Sequence, residues 1–301
     1  MRPSGTPLYS ANGSLPTVGV VVLTMGQRPA ELSRALLSVL GQLNVKLSIA
    51  VVGNGWRPTG LPAGVTAVPL PQNVGIPAGR NAGVPHVTGD YLFFLDDDAS
   101  IPDPHFLETG IAKLEANRRI GVLQPRITDP TGRQTPRRWI PRLRKGDATT
   151  SSPVFSLLEA GVLTRRKIFD AIGGWGAPYF YAHEGIELAW RVWNAGYIAW
   201  YAGDMSIAHP VTSPTRHNSY YRMNARNRVW LAKRNLPWIL VPFYVGSWTA
   251  VQLVRWTRNP RGISPWFAGW IEGWRTNPGG RKPLRLSTIA RMTSAGRPPI
   301  I

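Results

Sequence analysis

The 301-residue chain contains no cysteine. Disulfides, thiolate metal sites and cysteine nucleophiles are thereby excluded. Acidic residues are scarce, with 16 Asp and Glu against 35 Lys and Arg, a formal net charge of +19. The shortage is sharpest at the C-terminal end, where residues from Arg216 onward hold 15 Lys and Arg and the single acid Glu272. Such a field attracts polyanions, whether nucleic acid, anionic lipid or a phosphorylated substrate. No helix-turn-helix, zinc-finger or RNP-type pattern accompanies it, which argues against nucleic acid as partner. Residues 1–16 carry no apolar run of signal-peptide type and are expected to form a disordered leader. Tryptophan, by contrast, is abundant: there are 13, many beside basic residues, the pairing that a membrane interface selects.

Against this acid-poor background, three carboxylates stand side by side. The apolar run Tyr91–Leu95 has the character of a buried strand and ends in Asp96, Asp97 and Asp98. Three adjacent like charges repel and none is cheaply buried. A divalent cation held by oxygen ligands turns that cost into a gain; a solvated acidic turn is the alternative. The carboxyl ends of strands in α/β sheets are also where ligands tend to bind.

The preceding residues place this cluster in an α/β sheet. Val18–Thr24 is a continuous β-branched run, a buried strand. After Pro29, the residues Leu32, Ala35, Leu36, Val39, Leu40 and Leu43 recur at helical spacing on one face. Leu47–Val52 is a second buried strand ending at Gly53, Asn54 and Gly55. Strand, helix, strand in this span predicts a right-handed βαβ unit. Residues 73–83 then combine Gly75, Gly79 and Gly83 with Arg80, compatible with close approach to a phosphate or with a glycine-rich helix start. Their spacing is neither the dinucleotide fingerprint nor a P-loop. Residues 126–150 hold a basic, Pro-containing stretch around Trp139 that reads as a lid, an acceptor groove or a solvated loop.

Taken in order, the buried first strand, Gly53-Asn54-Gly55, Asn73 with Gly75, Arg80-Asn81 with Gly83, and Gly89-Asp90 leading to Asp96-Asp97-Asp98 resemble the inverting family-2 nucleotide-sugar glycosyltransferases. The resemblance covers about residues 17–230. It implies an α/β GT-A fold, a Rossmann-like mixed sheet flanked by helices. Asp96 and Asp98 match the family's D-x-D motif. They would hold Mn2+ or Mg2+ against the donor diphosphate, with Asp98 the direct ligand, Asp96 facing nucleotide sugar or ion, and Asp97 the least constrained. His209, where the family often completes its metal site, would be a ligand or a diphosphate contact; a lone histidine is otherwise more often structural. The resemblance assigns donor contacts to Thr24, Asn54, Asn73, Gly75, Arg80, Asn81, Asp96 and Arg226. Trp175, after Gly173 and Gly174, would stack on an acceptor or pack in the core.

Two positions depart from the family pattern. Gly53 stands where members often carry an Asp near the base or ribose, and Gly185 stands where the catalytic Asp is usual. The base role then falls to Glu184 or Glu187, with Glu184 favoured, near the start of a helix read from Ile186, Ala189, Trp190 and Trp193.

Residues 236–256 run about twenty residues to Arg255 without charge, a length that matches a bilayer span. Pro237, Pro242, Gln252 and three Trp favour a helix lying in the interface over a span or a soluble core helix. The expected organisation is a leader (1–16), a GT-A catalytic domain (17–230) and a basic, Trp-rich, membrane-associating helical extension (231–301). The expected activity is metal-dependent transfer of a hexosyl or rhamnosyl-type sugar from a nucleotide-sugar donor to a hydroxyl of a lipid-linked or cell-envelope glycan acceptor. Its expected place is the cytoplasmic face of the cell membrane, on an anionic lipid surface. The resemblance is nearest in character to rhamnosyl- and galactofuranosyl-transferase-like members of bacterial envelope pathways. Gly53 and Gly185 also motivate an alternative, a degenerate, non-catalytic nucleotide- or lipid-binding scaffold. A sugar nucleotidyltransferase is disfavoured, because residues 24–29 lack the extended glycine and basic signature after the first strand.

Overall fold

The computed structural model describes residues 14–141, 147–211, 219–257, 260–296 and 298–299. Most of the expected leader, together with Arg142, Arg144, Lys145 and Arg216, lies outside them. A mixed eight-stranded sheet forms the centre, in the order β3-β2-β1-β4-β7-β5-β8-β6. The strands β1 (Thr17–Thr24), β2 (Lys46–Asn54), β3 (Val65–Leu70) and β4 (Tyr91–Asp96) are mutually parallel. β7 (Gly161–Arg165) runs antiparallel between β4 and β5 (Ile120–Thr128), and β5 pairs in parallel with β8 (Ile198–Ala208). β6 (Ser152–Val154) closes the far edge.

The β-branched runs behave as expected of strands covered on both faces. Val18, Val20, Val22, Val51, Val52, Leu92, Phe93 and Phe94 are all solvent-free. Helix α1 (Pro29–Leu40) presents Leu32, Ala35, Leu36 and Val39 to the sheet, whereas Leu40 and Leu43 of the same stripe stay exposed at its end. Helix α2 (Ile76–Gly83) explains much of the glycine-rich stretch by packing. A Cβ at Gly79 or Gly83 would come within 2.5 Å of Leu23 or Val21 in β1, so the helix sits against the sheet with no side chain between. Gly75, at its start, has φ +86° and faces the backbone of Phe180, a conformation and a clearance open only to glycine.

The remaining helices are α3 (Phe106–Ala116), α4 (Arg166–Ile172), α5 (Glu184–Asn194), α6 (Ser219–Asn235), α7 (Val241–Trp256), α8 (Ile263–Arg275) and α9 (Leu286–Ser294). Helix α6 continues through the expected boundary at residues 230 and 231 to Asn235. Helix α8 lies on α6 at close range, because a Cβ at Gly269 would meet the Arg222 carbonyl at 2.0 Å. The apolar stretch 236–256 is a short 3-10 turn (Trp238–Leu240) followed by α7, with Pro242 in the first turn of α7. Among the described residues, no helix is long and apolar enough to cross a membrane.

Because α2 has no room for side chains on its inner face, Gly83→Ala should cost about 1–3 kcal/mol through overpacking. Urea unfolding checks this: a lower midpoint with an unchanged slope is expected.

Candidate active site

The parallel arrangement brings the carboxyl ends of β1, β2, β4 and β8 to one edge of the sheet, delivering Thr24, Asn54, Asp96 and His209 there. Asp97 and Asp98 follow directly. Asp97 is far from unconstrained: it is buried, accepts the Thr24 hydroxyl at 2.6 Å and pairs with Arg28 at 2.7 Å. Burial pushes its carboxyl up to about 6 against the pull of Thr24 and Arg28. Thr24 is thus a brace for the triplet, its oxygen also accepting the Gly26 N–H at 3.0 Å. Asp98 pairs with Arg28 and lies 3.2 Å from His209 Nε2. Burial opposes ionisation of Asp98, but the hydrogen bond and charge of His209, helped by Arg28, outweigh it and hold the carboxyl below its usual range. The reciprocal interaction raises His209, although burial works against its protonation.

One ligand atom from each of Asp96, Asp98 and His209 lies within 4.8 Å of the others. Two hard carboxylates and an imidazole suit Mn2+ or Mg2+ far better than a soft ion. The fit is supported by His209 Nδ1, which is buried without a protein partner; the Trp139 ring stands nearly perpendicular to the His209 ring, 5.4 Å away between centroids. Part of the expected basic loop therefore folds over this centre.

Arg80 is the second organising charge. It is 2% exposed, donates to Asp96 at 2.6 Å and to the Glu159 carbonyl at 3.0 Å, and lies 5.0 Å above the Trp175 ring. Its Nε and Nη1 have no protein partner. The charges of Asp96, Glu159 and Glu184 act on it and keep it protonated despite burial. Trp175 is itself core, wedged against Phe94 and Phe169. Asn81 clamps the Trp175 backbone, donating to its carbonyl at 2.8 Å and accepting its N–H at 3.0 Å. Asn54 and Asn73 form a similar clamp. Asn54 donates to Asn73 Oδ1 and accepts the Val74 N–H, both at 2.9 Å, which sets the turn leading to Gly75. Gly53 leaves no room for a carboxylate, since a Cβ there would meet the Trp56 carbonyl at 2.0 Å.

The structure separates the two glutamates. Glu184, at the start of α5, is buried beside Arg80 and Glu159, and its Oε2 lacks a protein partner. Burial raises its pKa, opposed by Arg80. Glu187 is fully enclosed and committed: it accepts from Arg234 at 2.7 Å, Asn235 at 2.8 Å and Tyr179 at 3.2 Å, and pairs with Arg191 at 3.0 Å. Its oxygens tie α5 to the end of α6, an anchoring position with no route to an entering hydroxyl. Arg226 is engaged similarly, with Tyr179 O at 3.0 Å, Glu272 at 3.4 Å and the Trp230 ring at 4.2 Å. Between Gly75 and Glu184, the residues Phe180, Ala182 and His183 all have positive φ. Three non-glycine residues in left-handed conformations are costly, and Asn227 helps to hold them by donating to the carbonyls of Tyr179, Tyr181 and Ala182.

The sequence profile of glycosyl transferase family 2 matches residues 20–173, just over half of the chain. The chain belongs to glycosyl transferase family 2. No curated protein sequence matches it. Among solved structures, it is similar to GalNAc-T7 with UDP, GalNAc and Mn2+ (TM-score 0.56, 15% identity, covering 87% of this chain and 56% of that one). It is similar also to the mannosyltransferase PcManGT from Pyrobaculum calidifontis in complex with GDP-Man and Mn2+ (0.53, 16%, 95% and 77%). A third likeness is to S. aureus TarS 1-349 (0.55, 14%, 85% and 78%). At these identities the likeness is one of fold, GT-A. The chain spans little more than half the length of the first of these.

In this family 2 chain, sequence reasoning missed Arg28 and Glu159 as members of the site. Arg28 lies just beyond the first strand and carried no motif. Glu159 opens the stretch 159–175, whose resemblance to an acceptor-side element assigned no role to the glutamate itself. Glu187→Ala should strip the buried Arg234 and the partly buried Arg191 of their carboxylate partner and cost about 3–5 kcal/mol. A large fall in the thermal midpoint is expected; an unchanged midpoint would show that the network carries no stability.

Proposed function

We propose that the chain is a metal-dependent glycosyltransferase moving a sugar from a nucleoside-diphosphate donor to an acceptor hydroxyl in one inverting displacement. The observation that carries this reading is the convergence of Asp96, Asp98 and His209 at the end of β4 in a family 2 GT-A domain. The UDP and GDP-Man complexes of the structural relatives, both with Mn2+, support the donor class. Asp96, Asp98 and His209 would hold Mn2+ or Mg2+, which when bound neutralises charge developing on the departing diphosphate. Arg28, half-exposed on Asp97 and Asp98, supplies positive charge at the same edge. Arg80 fixes Asp96, and the Asn54–Asn73 clamp sets the glycine turn that opens toward the donor. The acceptor proton goes to one carboxylate of the acidic group beside Arg80, to which Glu159 and Glu184 belong. One displacement needs a single proton acceptor within hydrogen-bond reach of the nucleophile.

We assign the acceptor to the lipid-linked or cell-envelope glycan class, met at the cytoplasmic face of the membrane. Supporting this, the C-terminal helices expose a run of large apolar side chains: Trp238, Ile239, Phe243, Leu253, Val254 and Phe267. Arg255 and Arg275 lie at the ends of α7 and α8. A soluble surface seldom gathers so many, and apolar side chains beside cationic ones suit an anionic interface.

In a thermal-shift panel of UDP, GDP and dTDP, at least one nucleotide should stabilise the protein, and more strongly with Mn2+ present. Asp98→Ala should abolish the Mn2+-dependent part. Calorimetry giving equal affinities for Asp98→Ala and wild type in Mn2+ would contradict the metal assignment. On vesicles containing phosphatidylglycerol, the protein should float at low salt and be released at high salt. Replacing Phe243 and Val254 together by Asp should weaken flotation, and wild type that stays in the soluble fraction would overturn the membrane assignment.

A further inference from the structure

Of the three glutamates around α5, two are closed off: Glu184 is 2% exposed and Glu187 is solvent-free. Glu159 alone keeps partial exposure as a residue, although its carboxylate is packed against the Gly185 backbone, and a base must meet a hydroxyl that arrives from solvent. Glu159 reaches the site through the space left by a glycine. A Cβ at Gly185 would lie 2.1 Å from Glu159 Oε1 and 2.4 Å from the Leu157 carbonyl. The Glu159 carboxylate therefore occupies the volume in which a side chain at position 185 would begin. The Gly185 N–H donates to it at 2.7 Å. This N–H lies in the first turn of α5, where the helix dipole favours negative charge.

The same residue is joined to the donor side. Arg80 bridges the Glu159 carbonyl and the Asp96 carboxylate, and the Ala160 carbonyl accepts the Asp96 N–H at 3.1 Å. Around this junction, Arg80 Nε, Arg80 Nη1 and Glu184 Oε2 are buried without protein partners. Buried polar atoms are normally satisfied, so three in one place point to a polar ligand group.

We propose that Glu159 is the catalytic proton acceptor of this site, admitted by Gly185 and backed by the enclosed Glu184. The inference rests on the transferase reading. As the acceptor oxygen bonds to the anomeric carbon, the carbon–oxygen bond to the diphosphate breaks and its electron pair leaves with the nucleoside diphosphate. The acceptor O–H proton passes to the Glu159 carboxylate. Burial, followed by the charge of Glu184, pushes the Glu159 carboxyl up to about 8, a value suited to taking a proton near neutrality.

The test is release of nucleoside diphosphate from UDP-, GDP- and dTDP-linked hexoses, with water as acceptor, using whichever donor wild type turns over. Glu159→Gln should lower kcat by about 100-fold or more with little change in KM, the loss expected for removal of a general base. Its thermal midpoint should change little, because glutamine keeps a side-chain oxygen for the Gly185 N–H. Formate should restore turnover to Glu159→Ala, where it would replace the proton acceptor, and not to Glu184→Ala, where that acceptor is still present. Turnover of Glu159→Gln within about three-fold of wild type, far short of a base's usual contribution, would overturn the assignment. So would formate rescue of Glu184→Ala in its place, or a loss in Glu159→Ala that formate does not mend. Wild type that binds the nucleotides but turns over none of the donors would fail at the earlier step, removing the transferase reading and Glu159's role together.

Discussion

The structure depends on neutralising carboxylates that the fold forces together. Parallel β1, β2 and β4 end in register, so Asp96 emerges at the rim of the sheet and Asp97 and Asp98 follow where it is already covered and water is scarce. Buried like charges are expensive. Each therefore has a dedicated partner: Arg80 for Asp96, Thr24 and Arg28 for Asp97, Arg28 and His209 for Asp98. Arg28 serves both Asp97 and Asp98, so the partners are shared across the triplet. The edge behaves as one electrostatic unit, supplied by β1, α1's approach, α2, β4 and β8.

A second buried charge network does a different task. Glu187, Arg191, Arg234, Asn235 and Tyr179 join α5 to the C-terminal end of α6. Through α6, the C-terminal helices are coupled to the strained segment that presents Glu184. Asn227 and Arg226 add contacts to the same segment. The extension that carries the exposed apolar face is thus mechanically continuous with the acidic centre. Two glutamates three residues apart on one helix acquire opposite characters: one saturated by cations, the other held among carboxylates beside an underused arginine.

Much of the fold was legible because its signals are local. The β-branched runs, the stripe Leu32–Val39 and the acidic triplet each follow from strand or helix periodicity, and the strand ends converge for any βαβ arrangement of this kind. The glycine-rich stretch was legible only in part. Its glycines serve close packing of α2 on β1 as much as approach to a ligand, and no spacing rule distinguishes the two. Asn54, Asn73 and Asn81 illustrate the same limit: as residue types they suit ligand contact, yet here Asn54 and Asn73 bond each other and the turn to Gly75, and Asn81 holds the distant Trp175 backbone.

The sequence by itself determined the sheet, the order of its elements and the three adjacent acids at a strand end, because strand burial and motif order are written along the chain. Tertiary structure alone decided how the remaining charges are divided. Whether Glu184 or Glu187 is enclosed by arginines depends on the docking of α6, some forty residues away. Whether Gly185 marks a loss or an opening depends on Glu159, which arrives from the turn before β7 to fill that space. A glycine's meaning lies in what occupies the volume it vacates, and that occupant is fixed by packing rather than by neighbours in sequence.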